Sequence, residues 1–232
     1  MKKYILLILF LLIARSSLAE DFHPEVAAEL ATSHFWADIS FQPDSNVAVV
    51  EFRVWFEFPV EKVFPALINI NAFPQVHANY ADAMALSKSS FDAIVAAKPQ
   101  DAAALQPYLN SGKTDSYAGR ASGNSWTRYE YASFNFPWPL ANRWSVQKTV
   151  IDESQARDGI YRYDYKMAVG NFTTLSGAWT LMPVPGKPGW SEFRGRYESD
   201  PGIPIPKFIA KIATRTGMKR DVDDNRRILA KE

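Results

Sequence analysis

An α+β fold, an antiparallel sheet followed by one long helix, is what the order of patterns in this sequence predicts. From Ser125 to Ser199 five strand-like runs follow one another, divided by turn residues with no room for a crossover helix, so successive strands are antiparallel neighbours. Upstream, His34 to Phe41 and Val47 to Phe58 flank the turn-rich Pro43-Asp44-Ser45-Asn46 and read as a hairpin. Asp200-Pro201-Gly202-Ile203-Pro204 then ends the strands and launches a helix from Ile205 to Leu229.

The 232 residues, 47% hydrophobic and 14% aromatic, suit one sizeable core rather than two. Lys2 and Lys3 precede the apolar run Tyr4 to Ala14, and Ser17-Leu18-Ala19 places small residues at a cleavage site. This predicts a signal peptide over residues 1–19, cleaved after Ala19, and a periplasmic or secreted protein. The chain has no cysteine, which excludes a disulfide scaffold and a lipid-anchored lipoprotein. Lys2, Lys3 and Arg15, with no carboxylate in that segment, take the mature net charge from +1 to −2. Without a basic excess, nucleic acid is not an expected partner.

Residues 20–32 read as a short helical segment opening near Pro24. In the run Val47 to Phe58, Ala48, Val50, Phe52, Val54, Phe56 and Phe58 share one face, opposite Glu51, Arg53, Trp55 and Glu57. Val60, Val63, Phe64, Leu67 and Ile68 keep the spacing of an amphipathic helix, broken at Asn71-Ala72-Phe73-Pro74 before a second short helix. Residues 78–124 read as an insertion over the sheet, a lid or a solvent-covered decoration, with a helix over Pro99 to Leu109. In the last helix Ile205, Phe208, Ile209, Ile212, Ala213 and Thr216 form one apolar stripe. Met218, Val222 and Leu229 continue on a face turned by about 100 degrees. Gly217, where the face changes, is either a point of close packing or a hinge.

Several stretches resemble START-like domains of the helix-grip (SRPBCC) superfamily. Tyr131, Phe134, Pro137, Trp138, Pro139 and Arg143 follow its strand-corner-strand signature, with Trp144 where an aspartate is usual. The strand, proline and helix order from Val47 to Pro74, the Gly177-x-Trp179-x-Leu181-x-Pro183 strand and the Asp200-Pro201-Gly202 junction are similar too. The resemblance covers about residues 33–229. It implies a curved antiparallel sheet wrapped around the C-terminal helix, in a domain spanning 33–232, around a lipid-sized cavity.

His23, His34 and His77 show no metal-ligand spacing, and no nucleophile elbow, phosphate-binding glycine loop or dinucleotide fingerprint is present. No metal, cofactor or catalytic residue is therefore expected. Glu130, Asp164 and Glu192 are expected on the wet face, the alternative being paired acids inside a cavity. Tyr129, Tyr131, Tyr161, Tyr163, Tyr165 and Tyr197 are expected first as core, although phenols also suit an amphipathic pocket. The expected function is binding of a lipid or other hydrophobic small molecule, with a transient membrane contact. Trp138, Trp179, Phe193, Tyr197, Phe208, Ile209 and Ile212 are the candidate wall, and Arg143 is the candidate cation for a ligand carboxylate or phosphate. The alternatives are a polyketide cyclase or aromatase using the same cavity, and an envelope interaction module.

Overall fold

The computed structural model describes residues 24–136 and 141–231; the expected signal peptide and the Pro137-Trp138-Pro139 corner lie outside them. Nine strands form a single antiparallel sheet: β1 (Phe35–Phe41), β2 (Ala48–Phe56), β3 (Tyr80–Leu86), β4 (Lys113–Thr114), β5 (Ser125–Phe134), β6 (Arg143–Asp152), β7 (Tyr161–Gly170), β8 (Thr174–Pro183) and β9 (Ser191–Asp200). Their order is β1-β2-β9-β8-β7-β6-β5-β3-β4. The predicted meander from β5 to β9 is present, and the β1–β2 hairpin joins it through β9.

Helices α1 (Pro24–Ser33) and α2 (Val60–Ile68), a short α3 (Phe73–Val76), α4 (Lys88–Ala97), α5 (Gln106–Gly112) and the long α6 (Lys207–Leu229) complete the chain. β2 behaves as its alternation predicts, with Ala48, Val50, Phe52, Val54 and Phe56 all buried. Phe52, Val54 and Phe56 pack with Val60, Val63, Phe64 and Ile68 of α2 and Val222 and Leu229 of α6 in the main core. The side of the sheet covered by α2 and α6 is called the inner face below.

Residues 78–124 differ from expectation at both ends. Tyr80–Leu86 is a full strand paired with β5, and the predicted helix over Pro99 to Leu109 is replaced by α4 and by α5, which starts only at Gln106. Neither helix lies over the inner face. Ile94, Leu105 and Leu109 pack with Tyr131, Trp144 and Val146 into a second core on the outer face, so the segment is neither lid nor solvent-covered decoration.

Helix α6 contacts β1 and the residue before it through two arginines. Arg215 Nη1 donates to the Ala37 carbonyl at 2.7 Å and Arg226 Nη2 to that of His34 at 3.0 Å. Beyond Gly217 the helix buries Val222, Asp224, Asn225 and Leu229. Before it, the predicted stripe is exposed: Phe208 68%, Ile209 45% and Ile212 64%. The reason is helical phase. Asp221 and Ile212 are nine residues apart, about 180 degrees at 100 degrees each, and Asp221 bonds inward to Asn79. Gly217 sits where a Cβ would meet Asn79 Nδ2 at 3.5 Å, an ordinary contact. Gly217→Ala is therefore expected to raise stability by up to ~1 kcal/mol through helix propensity, read from urea denaturation.

Candidate functional site

Strand alternation and register lay three aromatic rows across the inner face. One runs Thr149, Tyr165, Gly177, Tyr197 and Val50; the next Ile151, Tyr163, Trp179, Gly195 and Phe52; the third Tyr161, Leu181, Phe193 and Val54. Trp179 stacks on Tyr163 at 4.5 Å between centroids and meets Phe193 edge-on at 5.1 Å. Gly177 is required by space rather than by φ. A Cβ there would lie 2.5 Å from Tyr197 Cβ and 2.9 Å from the Tyr165 hydroxyl. Gly177→Ala is expected to cost ~1–3 kcal/mol by overpacking, measured by chemical denaturation, and to tilt both tyrosines.

Next to these rows sits a buried polar network. Glu130 is fully buried. Arg128 Nε and Nη2 approach its Oε1 at 2.6 and 2.5 Å, Tyr163 donates at 2.8 Å, and Gln147 Nε2 donates to Oε2 at 2.8 Å. Arg128 Nη1 also donates to the Ile68 and Ser116 carbonyls at 2.5 and 2.9 Å, tying β5 to the end of α2. Glu130 was expected on the wet face. Both faces of β5 are covered, so the wet side it was assigned to does not exist there. Of the other two carboxylates Asp164 is exposed as expected, whereas Glu192, also expected on the wet face, is buried against Arg53 and Trp55 of β2.

Above the network, Tyr80, Tyr165, Tyr197 and Asp221 face one another. Desolvation, followed by the neighbouring acidic groups, raises Tyr80 and Tyr165 well above the usual phenol range. Tyr197 is raised by desolvation and then by Tyr165 and Asp221. Asp221 is pushed up to about 7, first by desolvation and then by the charge of Asp224, against an opposing bond from Asn79. Yet all four keep accessible surface.

The predicted site residues divide into four groups. Trp179, Phe193 and Tyr197 come together on the inner face. Arg143 is half-buried and its Nε donates to the Pro201 carbonyl at 2.7 Å, where Gly202 takes a left-handed φ of 67°. Its guanidinium thus braces the junction before α6. Phe208, Ile209 and Ile212 are exposed on the far side of the helix, away from the wall assigned to them, and Trp138 is outside the described residues. Tyr80, Glu130 and Asp221 were missed. For Glu130 a signal existed, since Trp126, Arg128 and Glu130 alternate onto one face, whereas Tyr80 and Asp221 meet only in the fold.

No family model matches the sequence, and no curated protein does. Among solved structures, the chain is similar to a STAR-related lipid transfer protein from Xanthomonas axonopodis. That likeness has a TM-score of 0.57 at 17% identity, covering 86% of this chain and 95% of that one. It is similar also to the lipid transfer and protein localization domain of human StarD13, with a TM-score of 0.51 at 11% identity over 82% and 85%. Together with the nine-stranded antiparallel sheet and its C-terminal helix, these likenesses define the fold as START-like, a helix-grip fold.

Proposed function

We propose that the protein is an exported START-like binder that holds a lipid or other hydrophobic small molecule between the inner face of the sheet and α6. The observation that carries this reading is the group Tyr80, Tyr165, Tyr197 and Asp221, desolvated yet still accessible above a floor of aromatic rings. Such a wall offers apolar area with a few polar tips to orient one end of a ligand. Glu130, already accepting from Arg128, Gln147 and Tyr163, has little capacity left for proton transfer, so the network serves as scaffold. Export rests on the basic and apolar opening of the sequence and its small-residue cleavage site. N-terminal sequencing of protein from the periplasm should begin at Glu20; an intact Met1 there would contradict it.

Native mass spectrometry of protein purified from its own source tests the binding directly. A mass excess that organic extraction removes is expected, and a homogeneous unliganded mass would count against the reading.

Delivery to a membrane follows from the outer side of α6. Phe208, Ile209 and Ile212 are exposed, and residues 201–220 hold Lys207, Lys211, Arg215, Lys219 and Arg220 with no carboxylate. An apolar stripe flanked by cations suits an anionic bilayer surface. No helix among the described residues is long and apolar enough to cross a membrane. The double variant Phe208→Asp/Ile212→Asp is expected to weaken sedimentation with phosphatidylglycerol vesicles by tenfold or more, on the order of the ~1.5–3 kcal/mol each side chain gains on burial. Its thermal midpoint should stay close to that of the parent.

A further inference from the structure

The inner end of α6 is fastened by an unusual set of groups. Asp221 and Asp224 lie one turn apart on the helix and meet His77, which follows α3, and the three donor atoms lie within 4.8 Å of one another. His77 is 3% exposed. Its Nδ1 has no hydrogen-bond partner and lies 3.8 Å from Asp221 Oδ1. A buried imidazole nitrogen left without a bond costs the protein the solvation it has lost, unless something else takes its lone pair.

We propose that His77, Asp221 and Asp224 form a binding site for a divalent transition-metal ion, which pins α6 to the segment between α3 and β3. The ligand set is one imidazole nitrogen and two carboxylate oxygens, a combination that zinc and its first-row neighbours accept and that magnesium and calcium, which favour all-oxygen shells, do not. Donors around a common zinc at ~2.0–2.2 Å stand roughly 3–4 Å apart, so the present spacing closes by small side-chain rotations.

The carboxylates keep the capacity for it. Asp221 Oδ1 accepts from Asn79 Nδ2 at 2.9 Å and Asp224 Oδ2 from the Ala78 N–H at 3.3 Å, and each oxygen has a further lone pair. These two bonds have the character of supports that orient ligating groups. Arg227 also pairs with Asp224; its side chain is 61% exposed and swings into solvent at little cost. The site joins segments distant in the sequence, which is why histidine spacing along the sequence gave no sign of it. It stands independently of the lipid reading.

The test uses untagged protein stripped with a chelator and titrated with zinc chloride by calorimetry, with cobalt chloride as the spectroscopic probe. One zinc per chain is expected, with a thermal midpoint that rises with zinc concentration, ligand-field absorption from bound cobalt, and no competition from magnesium or calcium. Asp221→Asn and Asp224→Asn should each weaken zinc binding by tenfold or more. These variants alter charge while conserving shape, so the proposal does not depend on whether His77→Gln folds. Absence of stoichiometric zinc binding to the folded, stripped protein overturns it. So does zinc affinity that both aspartate variants leave intact, which would place the ion on surface groups.

Discussion

Glu130→Ala is expected to destabilise the protein by ~3–5 kcal/mol, the range seen when one partner of a buried ion pair is removed. The loss arises on the other side of the pair. Arg128 is buried and would keep only its bonds to the Ile68 and Ser116 carbonyls, leaving a charge in a desolvated site without its counter-ion. The Tyr163 hydroxyl and the Gln147 amide would lose their acceptor at the same time. Replacing both charges by apolar residues, as in Arg128→Met/Glu130→Leu, should cost less than Glu130→Ala alone, because no uncompensated charge then remains. Urea denaturation of the two single variants and the double variant, treated as a cycle, measures the coupling. Additive losses would mean that the pair does not act as a unit.

Leu229→Ala is expected to cost ~2–5 kcal/mol, the usual range for a truncated, fully buried leucine, while Ile212→Ala should change stability by no more than ~0.5 kcal/mol. The two residues sit on the same helix and are both aliphatic. They differ in that Leu229 lies in the main core with Val222 and α2, whereas Ile212 is 64% exposed. The contrast separates an α6 docked by its carboxyl-terminal half from one whose whole apolar stripe lies against the sheet. Comparable losses from both variants would show that the amino-terminal half is docked too.

Hydrophobic alternation made β2 legible because one of its faces is core and the other reaches solvent. The same signal failed at β5, where Tyr131 packs against the outer helices while Arg128 and Glu130 are buried on the inner face. With both faces covered there is no wet side to give contrast, so Glu130 was read as solvated. Periodicity misplaced the contact face of α6 only in its first half, where Phe208, Ile209 and Ile212 are exposed. In its second half Val222 and Leu229, on the face expected for them, are buried in the main core, but the polar Asp224 and Asn225 are buried beside them, and apolar spacing cannot mark those two. The stripe it did mark, Phe208 to Ile212, is amphipathic in pattern, but amphipathicity does not say whether the apolar side meets the protein or something outside it.

The candidate site was readable in part for the same reasons. Trp179, Phe193 and Tyr197 fall on inner positions of β8 and β9, and the Gly177 motif follows from the rings packed over that position. Tyr80 and Asp221 complete the group only because β3 pairs with β5 and α6 returns across α3, contacts between distant segments that no local pattern encodes.

Quenching of Trp179 by a brominated acyl chain tests the central claim most directly, because bromine quenches only at contact. The chain has seven tryptophans, and Trp179 is the one stacked on Tyr163 in the middle of the inner face. A saturable loss of fluorescence on adding a brominated fatty acid, largely abolished in Trp179→Phe, is the predicted result. Quenching that survives this substitution unchanged, or none at all with the acid bound, would contradict a ligand held between the sheet and α6.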